Sequence, residues 1–206
     1  EDRETKFACE NASFLYQSDQ PVRKLLEDKQ ITHLYTDIEA PLAFVLFRME
    51  DAGIRIDTQT LNRIAEETLK KVEALSQQIW DMAGEQFNLN SPKKLAEILY
   101  DKLGLKGGKK QSTAADVLEK LKDDHPIVEK ILEYRKYQKF YSTYAEGLKK
   151  YIYPDGKIHT QYNQCLVSTG RLSSSEPNLQ NITVRDEESR EIRKAFVPEE
   201  GCLLMS

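Results

Sequence analysis

The centre of the chain carries a regular spacing of apolar side chains. Seven residues, all but one of them apolar, recur at alternating intervals of four and three: Leu61, Ala65, Thr68, Val72, Leu75, Ile79 and Met82. This heptad-like repeat predicts a long amphipathic helix that packs lengthwise against an antiparallel partner. Asp57 precedes the repeat as a candidate N-cap, and Gly84 follows it as a candidate stop.

A candidate partner helix starts at Pro126 and has Gly147 near its end. Its apolar and aromatic positions are Ile127, Ile131, Tyr134, Tyr141 and Leu148. We interpret the tyrosines as helix-packing residues rather than as platforms on which nucleobases stack.

Two short helices are predicted between the long ones. Ser91 followed by Pro92 is typical of a helix start, and Gly104 is the corresponding stop. A T-x-x-D capping box from Thr113 to Asp116 predicts the start of the second short helix.

The N-terminal quarter predicts further helices. A capping box from Thr36 to Glu39 indicates a helix that Gly53 ends, with Pro41 near its first turn. Its apolar stripe consists of Leu42, Val45, Leu46 and Met49. Residues 7–35 are interpreted as shorter helices joined by loops.

After residue 150 the pattern changes to strands. The sequence "PDGK" (154–157) predicts a hairpin turn. Strands are predicted for "KIHTQYNQCLV", "IRKAFVP" and "CLLMS". The predicted fold class is therefore α+β and predominantly helical, with long antiparallel helices and a small antiparallel β portion.

Composition narrows the class of protein. The 206 residues are 39% hydrophobic and 31% charged, with a formal net charge of -4, which suits one or two water-soluble domains. The three cysteines lie far apart without metal-ligand spacing, so neither a zinc site nor a disulfide framework is indicated. Without a disulfide framework, a reducing cytoplasmic compartment is the default. No apolar run approaches the length of a membrane span, so no membrane partner is expected.

Charge is unevenly distributed. Residues 90–150 carry 14 basic and 9 acidic side chains, whereas the rest of the chain is acidic. This excess fits either a solvated lysine-rich helix pair or a surface that follows phosphates. Within it, "KGGKKQST" (106–113) combines glycines, lysines and a helix start, which fits a phosphate grip or an ordinary mobile loop.

The densest set of hydrogen-bonding side chains is "STGRLSSSEPNLQNITVR" (168–185). Arg171, Asn178, Gln180 and Asn181 can all donate hydrogen bonds. Every base pair presents acceptors in the minor groove of DNA, so such donors can detect pair geometry without reading sequence. The alternative is a polar loop whose amides satisfy its own backbone.

The motif "STGRLSSSEPNLQNI" closely resembles the T-G-R-L-S-S-x-x-P-N-L-Q-N-I signature of family A DNA polymerases. Further stretches resemble the same family in the right order, including "DIEAPLAFVLFRMEDAGIRID", "FNLNSPKKLAEILYDKLGL", "STAADVLEKL", "ILEYRKYQKFYSTY" and "REIRKAFVPEEG". Two departures are a short "KGGKKQST" loop and Thr183 in place of the family's usual proline.

The resemblance implies a domain organisation. Residues 1–36 resemble the tail of an exonuclease-type domain, and residues 37–57 the helix that enters the palm. Residues 58–150 resemble the thumb, whose helices are the long antiparallel pair, and residues 151–206 the first part of the palm.

The resemblance also implies roles for individual residues. Arg171 would reach the minor groove at the primer terminus, with Asn178, Gln180 and Asn181 on the nearby duplex. Sugar and phosphate oxygens are the expected partners of Thr169, Ser173 and Ser174. The thumb contributes three sets of duplex-contacting residues: Arg135, Lys139, Ser142 and Thr143 on its long helix; Asn88, Asn90, Ser91 and Lys94 at a helix start; and Lys109, Lys110, Ser112 and Thr113 at its tip.

The catalytic part of such a polymerase is expected outside these residues. In the family the strand that "CLLMS" resembles continues into an aspartate that holds the catalytic Mg²⁺ ions, and the fingers come later. The sequence therefore predicts a fragment of a DNA-directed DNA polymerase that grips primer–template duplex, binds no cofactor and adds no nucleotides by itself. Its partners would be the duplex and the remainder of the polymerase, in the bacterial nucleoid.

Two other interpretations stay open: a stand-alone nucleic-acid-binding module, and a helical scaffold whose basic arm is incidental. Asp186, Glu187 and Glu188 are interpreted as a solvated acidic cluster rather than as metal ligands.

Overall fold

The computed structural model describes residues 2–106, 111–182 and 187–205, which form two units. The first unit comprises the chain up to Ala52 together with Gln161–Ser173. The second comprises Gly53–Thr160 and the chain from Ser174 onward. None of the helices in the described ranges combines the length and the hydropathy that crossing a bilayer requires.

The first unit is built from helices. Helix α1 (Asp2–Asp28) is followed by the short helix α2 (Thr32–Leu34), which continues through a wide π-helical turn (Tyr35–Glu39) into α3 (Ala40–Ala52). Gly53 ends α3 as predicted, at a φ of 60° that suits glycine.

Two predictions for this unit are wrong. Residues 7–35 are not several short helices, because α1 is continuous over 27 residues. Its sequence contains no glycine, and i,i+4 ion pairs such as Arg23–Asp19 (2.9 Å) support the helix. Thr36 is not an N-cap, since it lies inside the wide turn and its hydroxyl donates to Asp37 Oδ1.

The apolar stripe predicted for α3 is only partly correct. Leu46 is buried, but Val45 and Met49 are exposed. Periodicity identified the helix, but it did not show which side chains the unit covers.

The second unit is organised by two long helices. Helix α4 (Thr58–Ala83) begins at Asp57, whose Oδ1 accepts a hydrogen bond from the Gln59 amide at 3.1 Å, as the sequence predicted. Gly84 ends it with a φ of 73°, a left-handed conformation that glycine adopts without strain.

Helix α7 (Pro126–Phe140) is the predicted antiparallel partner, but it ends earlier than predicted, because Tyr141 lies in a wide turn that follows it and Leu148 lies beyond that turn. The C-terminal half of α4 shares one core with the start of α7, and Ile79, Ile127 and Ile131 are all buried in it. The N-terminal half of α4 shares a second core with Phe140 and the residues beyond it. The first core also includes buried Tyr134, which confirms its predicted packing role.

One position of the predicted α4 seam is wrong. Met82 is 37% exposed, and its neighbour Ala83 is buried in its place. Seven residues of an α-helix fall about 20° short of the two full turns that a strict heptad assumes, so the buried stripe has moved one position later at its end.

Smaller helical elements complete the second unit. Helix α5 (Pro92–Ala96) continues as a wide turn (Glu97–Lys102), and α6 (Ala115–Lys120) precedes α7. After α7 come a wide turn (Tyr141–Ala145) and a 3₁₀ turn (Lys149–Tyr151). The Ser91 cap is confirmed, because its hydroxyl accepts from the Lys94 amide at 3.4 Å.

A three-stranded antiparallel sheet joins distant parts of the chain. Its central strand β1 (Ile54–Ile56) pairs with β2 (Lys157–Ile158) on one side and β5 (Phe196–Val197) on the other. The predicted "PDGK" turn leads into β2 and is closed by a hydrogen bond from the Tyr153 amide to the Lys157 carbonyl at 2.9 Å. The sequence does not predict β1, because three residues between two helices are too few to show the alternating pattern of a strand.

The predicted strands after residue 157 are corrected as follows. "KIHTQYNQCLV" forms two short strands, β2 and β3 (Gln161–Asn163), and β4 (Ser173–Ser175) follows. The predicted strand "IRKAFVP" is strand only at Phe196–Val197, which form β5. Its first two residues belong to helix α8 (Glu187–Arg193), where Ile192 is buried. In "CLLMS", residues 202–205 form no strand, since no pairing partner lies beside them among the described residues.

We expect the α4–α7 core to tolerate truncation far less than the exposed neighbour of its seam. Ile79→Ala removes a side chain that is 0% exposed, and should lower the free energy of unfolding by about 2–5 kcal/mol. Met82→Ala should change it by less than about 1 kcal/mol. Urea denaturation of both variants measures the difference, and equal losses would contradict this assignment of the core.

Candidate nucleic-acid interface

The loop between β4 and α8 is held by its own side chains. Ser174 is 3% exposed, and its Oγ accepts hydrogen bonds from the amides of Leu179 (3.0 Å) and Gln180 (3.3 Å). Asn178 Oδ1 accepts from the amides of Gln180 (3.1 Å) and Asn181 (3.2 Å). Part of the polar character of the motif therefore serves the loop itself.

The same arrangement directs donors outward. Asn178, Gln180 and Asn181 are exposed. The Asn178 oxygen is used internally, so the Nδ2 group is the part of that side chain that is left to donate. The loop thus presents amide donors on its outer side, which is the arrangement that minor-groove acceptors require.

A buried threonine supports the loop from beneath. The Thr160 hydroxyl lies 2.7 Å from the Pro177 carbonyl and 3.0 Å from the Ser175 carbonyl, and it can donate its one proton to either. Sequence reasoning did not identify Thr160, since a threonine next to a strand carries no distinguishing pattern.

The loop lies beside the continuation of α7. Ser142 and Thr143 are exposed and line a groove of about 340 Å³, together with Ser174 and Asn178. Lys150 lines the same groove and brings a positive charge to it. Two predicted sets of contact residues, more than thirty positions apart in sequence, therefore face one groove.

The region before α6 differs from its prediction. Helix α6 begins after Ala114, so Thr113 is not its N-cap. Thr113 is 8% exposed, and Arg135 of α7 donates to both its carbonyl and, at 3.3 Å, its hydroxyl. Ser112 Oγ accepts from the Ala114 amide at 3.2 Å.

Arg135 consequently has a structural partner. Burial lowers the pKa of its guanidinium, which marks it as less solvated than an ordinary surface arginine. Ser112, Thr113 and Arg135 still line an open depression of about 720 Å³, together with Lys93. Lys109 and Lys110, predicted for the same tip, lie outside the described residues.

The predicted contacts before α5 are also largely engaged. Asn88 Oδ1 accepts from the Asn90 amide at 2.9 Å, and Tyr134 Oη donates to Asn90 Oδ1 at 3.3 Å. Lys94 pairs with Glu97 at 2.6 Å, and this hydrogen bond raises the pKa of Lys94. Lys139, in contrast, is exposed near the C-terminal end of α7.

The remaining predicted residues belong to the first unit. Thr169 and Arg171 are exposed, and no described residue forms a salt bridge with Arg171. The Oγ of Ser173 is buried and has no hydrogen-bond partner among the described residues.

The interpretation of Glu187 and Glu188 as a solvated cluster is wrong for Glu188. Its side chain is 12% exposed and pairs with Lys136 of α7 at 2.7 Å. Burial acts to raise the pKa of Glu188, but hydrogen bonds from Lys136 and Tyr137 outweigh it and lower the pKa. Burial and this carboxylate raise the pKa of Tyr137 to about 12. Asp186 lies outside the described residues.

Within residues 2–106, 111–182 and 187–205, no group of three or more His, Cys, Asp or Glu residues is placed to hold a metal ion.

The chain is similar in sequence to known proteins. The sequence profile described as "DNA polymerase family A" matches residues 58–206. A DNA polymerase I of Lactococcus lactis is 54% identical over 187 residues, which are 89% of this chain and 21% of that protein. The DNA polymerase I of Streptococcus pneumoniae is 50% identical over 206 residues, covering 97% of this chain and 23% of its own length.

A solved structure is similar as well. It is described as the POL domain of Pol1 from M. smegmatis in complex with DNA primer-template and dNTP, and it is 37% identical with a TM-score of 0.78. The match covers 85% of this chain and 32% of that one. The chain spans about a fifth of the length of the curated relatives it matches.

Arg135 should contribute to stability, whereas Lys139 should not. Arg135→Ala leaves the nearly buried Thr113 carbonyl without its donor, and should lower the free energy of unfolding by about 1–3 kcal/mol. Lys139→Ala removes the same charge from the exposed side of the same helix, and should change it by less than about 0.5 kcal/mol. Urea unfolding compares the two; a loss of similar size for both variants would show that the Arg135–Thr113 contact does not stabilise the fold.

Proposed function

Because this chain belongs to DNA polymerase family A, we propose that it is the part of a DNA-directed DNA polymerase that holds the primer–template duplex. The observation that carries the proposal is the groove shared by Ser142, Thr143, Ser174 and Asn178. Hydroxyl groups on one wall can bind phosphate or sugar oxygens, and amide donors at the edge of the other suit minor-groove acceptors.

Positive charge supports the same assignment. Lys139 and Lys150 are exposed on the segment that also carries Ser142 and Thr143. Lysines in this position neutralise phosphates without reading sequence, as a polymerase requires for any template. Arg135 and Lys94 contribute less, because both are engaged with groups of the chain itself.

The domain assignment is part of the proposal. Residues 58–150 would be the thumb and residues 151–206 the first part of the palm, preceded by an entry segment (37–57) and the tail of an exonuclease-type domain (1–36). The relatives that match nearly the whole chain are named DNA polymerase I. This similarity supports a polymerase part over a stand-alone binding module.

Catalysis needs groups beyond those described. Family A DNA polymerases generally use divalent metal ions, which stabilise the attacking and leaving oxygens in phosphoryl transfer. The described residues do not fit such a site, because no three potential ligands come together. We therefore propose that other parts of the longer polymerase supply the Mg²⁺ ligands and the fingers; nucleotide incorporation by the pure 206-residue chain would contradict this.

Duplex binding by the chain tests the proposed function. Fluorescence anisotropy with a labelled primer–template should show binding that weakens steeply as salt rises, and to a similar extent for unrelated sequences. Lys139→Ala should weaken binding and reduce the slope of log K against log salt by about one phosphate contact.

The matched control is Lys24→Ala, which removes an exposed lysine from α1. It should leave both affinity and slope unchanged. Absence of binding at low salt, or equal effects of the two lysine substitutions, would refute the proposed function.

Arg171 is proposed to monitor the primer-terminal base pair. Its guanidinium is a fixed fork of donors that suits a base-edge acceptor together with a sugar oxygen. In the longer polymerase, Arg171→Ala should slow extension of matched primers by roughly one to two decades, from the loss of one charge-assisted hydrogen bond.

Mismatched termini distinguish this role from a loop-holding one. A mismatch displaces the acceptor, so Arg171→Ala should slow mismatched primers much less than matched ones. Arg171→Lys should rescue poorly, since a point charge does not reproduce the fork. Single-turnover extension measures both, and equal slowing on both termini would leave only a structural role.

A further inference from the structure

Two consecutive carbonyl groups of the loop, those of Asn181 and Ile182, are held by side chains from outside it. Tyr144 Oη donates to the Asn181 carbonyl at 2.9 Å. Arg193 Nη2 donates to the Ile182 carbonyl at 2.9 Å. Tyr144 lies in the wide turn that follows α7, and Arg193 is the last residue of α8.

We propose that Tyr144 and Arg193 are positioning residues that set the direction in which Gln180 and Asn181 face the duplex. We call the two hydrogen bonds the carbonyl clamp. The inference rests on the proposed function and extends it, because neither residue belongs to the donor-rich motif (168–185) or to the predicted contact set.

Backbone geometry explains why such a clamp matters. The amides of Leu179 and Gln180 are fixed by Ser174, so the first half of the loop has an anchor within the motif. The carbonyls of Asn181 and Ile182 are the acceptors that the clamp fixes in the second half. The Asn181 amide is already held by Asn178 Oδ1, so fixing its carbonyl as well holds the peptide planes on both sides of its Cα and limits the direction in which its side chain leaves the backbone.

Tyr144 also ties the loop to the other wall of the groove. It directly follows Ser142 and Thr143, so the hydroxyl pair and the loop donors are joined through one side chain. Its ring packs near Phe140, with centroids 5.9 Å apart, and borders the second core. Removing only the hydroxyl should therefore leave the packing in place.

Arg193 reaches the loop from a helix that is itself fixed. Ile192 and Ala195 are fully buried in the second core. Glu188 at the other end of α8 pairs with Lys136 of α7. Tyr144 lies in the turn that follows α7, and α8, which carries Arg193, is paired with α7 through Glu188 and Lys136. Both residues of the clamp are therefore positioned by α7.

Hydrogen exchange tests the clamp without DNA. Tyr144→Phe should speed exchange of the loop amides of Leu179, Gln180 and Asn181 several-fold in the free chain, because the loop opens more often. The control Tyr153→Phe removes a hydroxyl from an exposed tyrosine whose ring contacts His159, and should leave those amides unchanged. Unchanged exchange in Tyr144→Phe would overturn the clamp.

Duplex binding tests its consequence. Tyr144→Phe should weaken binding about two- to tenfold, the equivalent of one neutral hydrogen bond, with the salt slope unchanged. In a chain that already carries Gln180→Ala and Asn181→Ala, the same substitution should have no further effect, because the side chains it positions are gone. An equal loss in both backgrounds would indicate general destabilisation and overturn the inference.

Arg193 is tested against its neighbour. Arg193→Gln should weaken duplex binding without changing the salt slope, whereas a direct phosphate contact would reduce the slope by about one. Lys194→Gln removes the same charge from a residue that pairs with Glu191, and should change neither quantity.

The two proposals fail separately. Absence of duplex binding by the unaltered chain would refute the proposed function, and the exchange experiment would still decide whether the clamp exists. Duplex binding by the unaltered chain that is unaffected by Tyr144→Phe and Arg193→Gln would refute the clamp's role alone.

Discussion

The antiparallel packing of α4 on α7 is the interaction on which the rest of the second unit depends. It forms two cores, one at each end of the pair, and so fixes the line along which α7 projects its polar side chains. Arg135 holds the segment before α6, Lys136 holds α8, and Tyr144 in the following turn holds the loop. These contacts need α7 in one register, because each spans only a single hydrogen-bond length.

The basic excess of residues 90–150 divides into two kinds of cation. Arg135 and Lys136 are directed at groups of the chain itself, where they stabilise the arrangement of the helices. Lys139 and Lys150 are exposed to solvent, and Lys150 lines the groove, so both can bind phosphates under the proposed function. Net charge alone therefore overstates the number of side chains that would contact DNA, and what separates the two kinds is whether the cation has a partner within the chain.

Sequence patterns predicted the long elements well and the short ones poorly. The α4 repeat, the Asp57 cap and the partner helix from Pro126 were correct, because many residues repeat one local preference. The three-residue strand β1 and the helix α8 were not found, since elements this short are stabilised by what they pack against. Thr36 and Thr113 showed the limit of capping motifs: both match the pattern, but Thr36 bonds to the adjacent Asp37 inside a turn and Thr113 accepts a hydrogen bond from Arg135 of α7.

The sequence by itself determined the family resemblance, the helical organisation and the donor-rich character of the loop, because these depend on residue types and local spacing. Only the tertiary structure decided that the loop shares a groove with Ser142 and Thr143, that Asn178 uses its oxygen internally, and that Tyr144 and Arg193 hold two carbonyls of the loop. The physical reason is that most of these contacts join positions distant along the chain. Which distant groups meet is set by how the two cores bring α4, α7 and α8 together, and no local pattern encodes it.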